Sequence, residues 1–312
     1  MMVETARQAE AWVDQPEISA RSVLVTILGD LIRPATNSVW LSDLIALTKP
    51  FGFNDRLVRT SVFRLVSDGW LTNKRVGRQS RYALTPLADV EFGAAERRIY
   101  QWRQKEWSQD WVMVLTDGPL TTPNDRDRLI DHLRWRGFVA LGRGVMASPT
   151  ANIDDIHQAL ELLDMTSPVP VAQGKIGPTQ QLVDVGYFAS VFNTKETEDR
   201  YIRFGQTYTD VLEQLESPSG LLKVTSVDAF VLRTMLVHDF RRIRLDTPDI
   251  PDELLPPGWQ GRNAYLAAAA IYHKLYALSL TGLSKLAPIP SPPDNNLVKE
   301  RFPTPTKPGW SS

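Results

Sequence analysis

Across Gly69 the chain changes its hydrophobic rhythm, and few arrangements accommodate what lies on either side. Before it, Leu57, Val58, Val62, Leu65 and Val66 recur at helical spacing and are expected to face a core. Asn54 sits where a helix N-cap sits, and Gly69 where a left-handed residue ends a helix, so a helix is predicted over 55–68. After Gly69 the strings "WLTNKRV" and "SRYALT" read as two short strands around "GRQ", a turn that holds Gly77. The stretch from Phe53 to Pro86 carries six arginines and one lysine against two aspartates. A glycine-closed helix thus runs straight into a basic hairpin.

Two helices precede this pair. "SARSVLVTILGDLIR" has apolar residues at 23, 24, 27, 28, 31 and 32 with Ser19 as N-cap, and a short second helix is expected from about Asp43. Three helices and a basic hairpin over residues 19–85 make a winged helix-turn-helix, whose third helix fits the major groove of duplex DNA. The predicted core face turns Arg56, Arg59, Thr60 and Arg64 outward, where arginine can donate a bidentate pair to guanine. Lys74, Arg75, Arg78 and Arg81 on the hairpin suit phosphates or the minor groove. The whole chain has a net charge of −1, yet Ser19 to Thr85 carries +6, leaving −7 for the rest. One basic module on a mildly acidic body is the footprint of a domain that meets a polyanion. A solvated helix also shows a charged face, and winged helices also dock proteins, so a non-DNA interaction module is the competing reading.

At 312 residues the chain is long enough for two or three domains. Thr85-Pro86 starts a connecting helix over 86–109. Residues 110–178 alternate as β-α-β-β-α-β, the pattern of a ferredoxin-like α/β sandwich. Residues 179–286 read as helices, including "SVDAFVLRTMLVHDFRRIRL" and "RNAYLAAAAIYHKLYALSLTG", making an all-α C-terminal domain. The expected class is α+β multidomain. The tail 287–312 has seven prolines from Pro288 onward and is expected to be extended or mobile.

Several chemistries start without their residues. There is no cysteine, which removes disulfides and thiolate chemistry and fits a reducing cytoplasm. The four histidines, at 132, 157, 238 and 273, offer no pair at metal-ligand spacing. No apolar run approaches the roughly 18 residues that span a bilayer, and the first residues lack the apolar core of a signal peptide. Gly142 and Gly144 lack the third glycine and the lysine of phosphate loops and are read as a bulge or bend. The pair in "VHDF" (237–240) lacks the further ligands of a metal phosphohydrolase. No enzyme, metal or cofactor is expected.

The strings "VRTSVFRLVSDGWL", "RVGRQSRYALT", "RRIYQW", "LRWRGFVALGRGVMASP" and "LVHDFRRIRLDTPDIPDELLPPGWQG" resemble the PaaX-type regulators, repressors of phenylacetic acid catabolic operons. The likeness covers about residues 19 to 285. It implies a DNA-binding domain, a Cas2-like ferredoxin middle domain and a helical C-terminal domain. It also implies a homodimer on a near-palindromic operator, released by an acyl-CoA effector, phenylacetyl-CoA. With that resemblance in view, Arg233, His238, Arg241, Arg242 and Arg244 on one apolar helix have two readings. They form either an interdomain ion-pair network or an anion site for coenzyme A phosphates. Tyr265, Tyr272 and Tyr276 share one helix face and offer either core or a cavity for the aryl ring. Cas2 nucleases place an acid at the end of their first strand, where this chain has Asp117, so a metal-dependent nuclease is the second rival.

Overall fold

A computed structural model describes residues 18–102, 107–118, 122–163, 169–176, 185–289 and 300–303. Parts of the expected connecting helix (103–106) and most of the expected tail (290–299 and 304–312) lie outside the described residues.

Helix α1 (Ala20–Ile27) starts at Ser19, whose hydroxyl accepts the Ser22 N–H at 3.1 Å. It continues into a wider π turn, Leu28–Ile32, and a last turn, Arg33–Ala35. Strand β1 (Ser38–Trp40) leads to α2 (Leu41–Thr48), which begins two residues before the expected start. Asn54 then accepts the Leu57 N–H at 3.0 Å and opens α3 (Asp55–Ser67). Gly69, at φ 75°, reverses the chain, with the Trp70 N–H returning to the Leu65 carbonyl at 2.9 Å. Strands β2 (Leu71–Val76) and β3 (Gln79–Leu84) meet around Gly77-Arg78, with Gly77 at φ 61°. Such a two-residue loop needs positive φ, which glycine adopts without strain. The sheet order is β1-β3-β2, all antiparallel, with Val39 opposite Tyr82 and Lys74 opposite Arg81. Val23, Leu24, Ile27, Leu44, Leu47, Val58, Val62 and Leu65 are buried in these three helices.

Thr85 caps α4 (Pro86–Tyr100) through the Ala88 N–H at 3.1 Å. The next elements are β4 (Asp110–Leu115), α5 (Pro123–Trp135), β5 (Val139–Gly142), β6 (Val145–Ser148), α6 (Ile153–Leu162) and β7 (Val171–Lys175). Their sheet is antiparallel throughout in the order β5-β6-β4-β7, which is the ferredoxin-like arrangement. "FVALGRGVMAS" resolves into two strands, with an irregular register between Ala140 and Gly142. The period-two alternation of β4 divides its side chains between two cores. Val112 and Val114 pack with Leu129 and Leu133 of α5 and Ile156 of α6. Trp111 faces the other way, into a cluster with Phe188, Phe192 and Leu254, and stacks on Phe188 at 4.8 Å between ring centroids.

Phe188 lies on α7 (Val185–Val191), a short helix the sequence reading did not anticipate. Then follow α8 (Thr194–Glu216), α9 (Ser226–Asp246) and α10 (Gly261–Leu286). The third region is helical as expected, but its residues are divided between two compact units. One unit holds the chain up to Glu96 with Phe204–Phe240 and Tyr265–Pro303; the other holds Arg97–Arg203 with Arg241–Ala264. Among the described residues no helix is long and apolar enough to cross a membrane.

In the second unit Arg136 Nε donates to His132 Nε2 at 3.1 Å on α5, so the imidazole serves as a neutral acceptor. Burial, with Arg136 beside it, pushes the His132 pKa down to about 3. An unfolded histidine titrates near about 6.5, so below that pH the unfolded chain takes up a proton that the folded chain refuses. The contribution of His132 is therefore complete above about pH 6.5 and is lost as pH falls towards 3. Urea unfolding at pH 7 and pH 5 is expected to show a smaller acid-induced loss for His132→Gln than for the unaltered chain. Equal losses would separate His132 from the acid sensitivity.

Candidate nucleic-acid interface

Helix α3 and the β2–β3 hairpin carry the predicted basic residues, and all of those residues are solvent-exposed. On α3 the exposed set is Asp55, Arg56, Leu57, Arg59, Thr60, Phe63, Arg64 and Ser67, while Val58, Ser61, Val62 and Leu65 are buried. Two predicted core positions are thereby corrected. Leu57 is 50% exposed and Val66 only half-buried. The buried arc centres on Val58, Val62 and Leu65, and Leu57 falls a third of a turn outside it, on the side of Arg64. Phe63 is 70% exposed, a position the sequence reading assigned to neither face. Its spacing from Arg56 and Thr60, seven and three residues back, was a usable sign that it shares their face.

The hydroxyl of Thr60 donates to the Arg56 carbonyl at 2.9 Å and so fixes its own rotamer against the helix. On the hairpin Lys74, Arg75, Arg78 and Arg81 are exposed, with Val76 beside the turn at 47%. Arg75 Nε reaches the Gly77 carbonyl at 3.3 Å, and the Arg81 guanidinium lies over the Trp40 ring, 5.5 Å from its centroid. Among the described residues none of the seven cations Arg56, Arg59, Arg64, Lys74, Arg75, Arg78 and Arg81 forms an ion pair. The contrast lies one helix away, where Arg21 pairs with Asp68 at 2.7 Å. Seven unpaired charges on one helix face and one hairpin offer donors and positive potential to an extended anion.

The second predicted site takes a different form. Arg233 is 2% exposed and enclosed in the first unit. Its Nη2 bonds Asp30 Oδ2 at 2.7 Å and the Tyr272 hydroxyl at 3.0 Å, and its Nη1 bonds Ser279 at 3.0 Å. Arg301, from the predicted mobile tail, also reaches Asp30 at 2.8 Å and Glu96 at 2.7 Å, with Phe302 buried beside Tyr265 and Tyr272. The four described tail residues 300–303 are therefore docked, which corrects the expectation for that stretch. Burial raises the Tyr272 phenol above its usual range, so it keeps its proton and donates to Asp30 at 3.3 Å. His238 is fully buried, its Nδ1 3.3 Å from Thr26 Oγ1.

An incoming phosphate would have to displace Asp30 from Arg233, and His238 is enclosed beside Thr26, so neither side chain is open to an anion in this arrangement. Tyr265 and Tyr272 are core residues, and Tyr276 packs against the Arg233 guanidinium at 4.7 Å, so that face is not a ligand cavity. In the second unit Arg241 is buried and Arg242 half-buried. Arg244 bonds Asp249 at 2.9 Å and the Arg98 carbonyl at 2.8 Å. Asp117, the residue of the nuclease reading, pairs with Arg126. No group of three or more metal-ligating acids or histidines occurs among the described residues.

Three family models match the chain. They are a PaaX-like protein over residues 19–88, a PaaX protein central Cas2-like domain over 104–184, and a PaaX-like protein C-terminal domain over 192–284. Among curated proteins, the transcriptional repressor PaaX of Escherichia coli (strain K12) is 28% identical over 305 residues, covering 93% of this chain and 92% of that protein. Among solved structures, an uncharacterized protein from Mycobacterium tuberculosis aligns with a TM-score of 0.41 at 21% identity, covering 83% of this chain and 98% of that one.

Removing one partner from the buried cluster leaves an uncompensated charge, which typically costs about 3–5 kcal/mol. Asp30→Ala is expected to destabilise the chain by that amount in urea unfolding, against well under 1 kcal/mol for Asp68→Ala, whose pair with Arg21 is exposed. Similar effects at the two positions would remove Asp30 from its central place.

Proposed function

The chain belongs to the PaaX-like family, and we propose that it is a transcriptional repressor that binds operator DNA as a homodimer and is released by an acyl-CoA. The proposed DNA-binding module is a winged helix-turn-helix over residues 19–85, with α3 as recognition helix and β2–β3 as wing. The observation that carries this reading is the set of seven cations on those two elements that form no ion pair among the described residues, in a chain whose curated relative is a transcriptional repressor.

In this reading Arg56, Arg59, Thr60 and Arg64 meet base edges in the major groove, and Lys74, Arg75, Arg78 and Arg81 hold phosphates. Each bidentate arginine–guanine contact contributes about 1–3 kcal/mol of discrimination. A two-fold dimer sets its recognition helices about one DNA turn (~34 Å) apart or a multiple of it, so the operator is near-palindromic. The proposed effector is phenylacetyl-CoA. It releases DNA only to the extent that it binds a non-productive dimer geometry more tightly than the productive one. Arg241 and Arg242 remain the proposed contacts for its phosphates. The protein is proposed to act in the cytoplasm, without a catalytic role or cofactor.

Two substitutions separate reading from gripping. Arg59→Ala is expected to weaken operator binding at least tenfold while leaving random duplex nearly unchanged. Arg78→Ala is expected to weaken both and to reduce the slope of log K against log salt by about one unit. Salt-titrated mobility shifts measure both. Equal losses on both duplexes for Arg59→Ala would make it a phosphate contact, and an unchanged slope for Arg78→Ala would take the wing off the DNA. In the same assay phenylacetyl-CoA is expected to release the complex and free phenylacetate is not. Release by the free acid, or by neither compound, would overturn the proposed effector.

A further inference from the structure

Phe63 stands on the outward face of α3, and among the described residues it is left 70% exposed. Helical rotation of about 100° per residue puts Phe63, Arg56, Ser67 and Thr60 in that order within one narrow arc, with Arg59 beyond Phe63 and Arg64 beyond Thr60. All are exposed, and Phe63 more so than Leu57 or Val76, the other two large apolar residues exposed on the module. The ring has no hydrogen-bonding group, so its only means of discriminating among bases is apolar contact. In the major groove only thymine presents an apolar group, its C5-methyl.

We propose that Phe63 reads a thymine methyl group in the major groove, between bases contacted by the arginines around it. The inference rests on the DNA-binding reading of this module. The alternative occupant of an exposed phenyl ring is an apolar patch on another protein or a second copy of this chain. The surroundings favour DNA: Arg56 and Arg59 flank Phe63 on the helix face and Arg64 closes its far edge, none of them with an ion pair among the described residues. A duplex supplies phosphates and base acceptors to those arginines and a methyl group to the ring. An apolar protein patch supplies only the last.

The test uses the full chain and a duplex selected by it from a random library. Each thymine of the selected site is replaced in turn by deoxyuridine, which removes only the methyl group. The unaltered chain is expected to lose about fourfold in affinity at one thymine in each half-site, the transfer value of one methyl group. Phe63→Ala is expected to bind the all-thymine site more weakly and to be indifferent to deoxyuridine at that position. Phe63→Leu, which keeps an apolar end, is expected to retain part of the penalty. Because Phe63 is exposed, unchanged urea unfolding of both variants is expected and confirms that they fold.

Specific binding that is insensitive to every deoxyuridine overturns the role of Phe63 and leaves the repressor reading intact. So does an undiminished penalty in Phe63→Ala. Loss of self-association in Phe63→Ala, with the deoxyuridine penalty preserved, overturns it in favour of a protein contact. Failure of the full chain to enrich any duplex would instead bring down the DNA-binding reading itself, and the inference with it.

Discussion

Asp30 is a buried carboxylate, and the packing of the first unit follows from how its charge is met. A carboxylate taken out of water costs several kcal/mol unless cations and donors replace the solvent. The replacements come from far along the chain: Arg233 is 203 residues on, the Tyr272 hydroxyl 242, and Arg301 271. They lie on α9, on α10 and on the segment 300–303, so one carboxylate gathers three separate stretches against the π turn of α1. Arg301 extends the chain of alternating charge to Glu96 on α4, and Arg33 continues it from Glu96 to Asp89 at 2.7 and 2.8 Å. A cluster of this kind is a weak source of net stability and a strong discriminator of arrangement, because any other register leaves a charge unpaired. The last helices of the chain thereby become part of the unit that carries the candidate interface.

The arginines of the chain fall into two physical classes. Arg33, Arg98, Arg233, Arg244 and Arg301 are wholly or largely withdrawn from solvent and bonded to carboxylates or carbonyls. Burial is deep enough at Arg98 to lower its pKa to about 10, which still leaves it charged near neutrality. Arg56, Arg59, Arg64, Arg75, Arg78 and Arg81 stand in water, and the fold leaves them without a carboxylate among the described residues. An exposed ion pair would contribute little to stability. The absence of ion pairs at these six among the described residues therefore costs the fold almost nothing, while it leaves their donors open to a partner. Composition alone cannot make this division, since a net charge of −1 averages the two classes with the acids.

What the sequence disclosed was local. The Asn54 cap, the Gly69 stop and the Gly77 turn are each written in adjacent residues, and each is present with the expected geometry. The string "DWVMVLT" likewise read as a strand, and its apolar run packs against a core on each face of the sheet. What escaped depends on distant partners. Strand β1 has only three residues, too few for a period, and exists because β3 offers it an edge 40-odd residues later. The π turn at Leu28–Ile32 has no pattern of its own; it presents Asp30 to cations from α9 and from the segment 300–303. Arg301 sits among prolines and polar residues that read as tail, and only its pairs with Asp30 and Glu96 assign it to a core. The same limit explains the anion site. Cations spaced along α9 look alike whether they await a phosphate or already hold an aspartate.

The junction between α3 and the hairpin also restricts how the proposed DNA-bound form could be undone. Gly69 turns the chain, the Thr85 hydroxyl bonds the Gly69 carbonyl at 2.7 Å, and the Thr85 N–H bonds the Trp70 carbonyl at 3.1 Å. Both ends of the hairpin are thus tied to the end of the helix, while β3 is held on its other side by β1. Helix and hairpin form one body, and Val58, Val62 and Leu65 seat that body on the helices before it. Bending the hairpin away from α3 would break these bonds and the core together. Under the proposed function, release by an effector is cheaper as a change in the spacing of two intact modules than as distortion of one. A dimer that reads a palindrome is sensitive to that spacing, since a shift of a few ångströms takes one of two rigid recognition helices off its half-site.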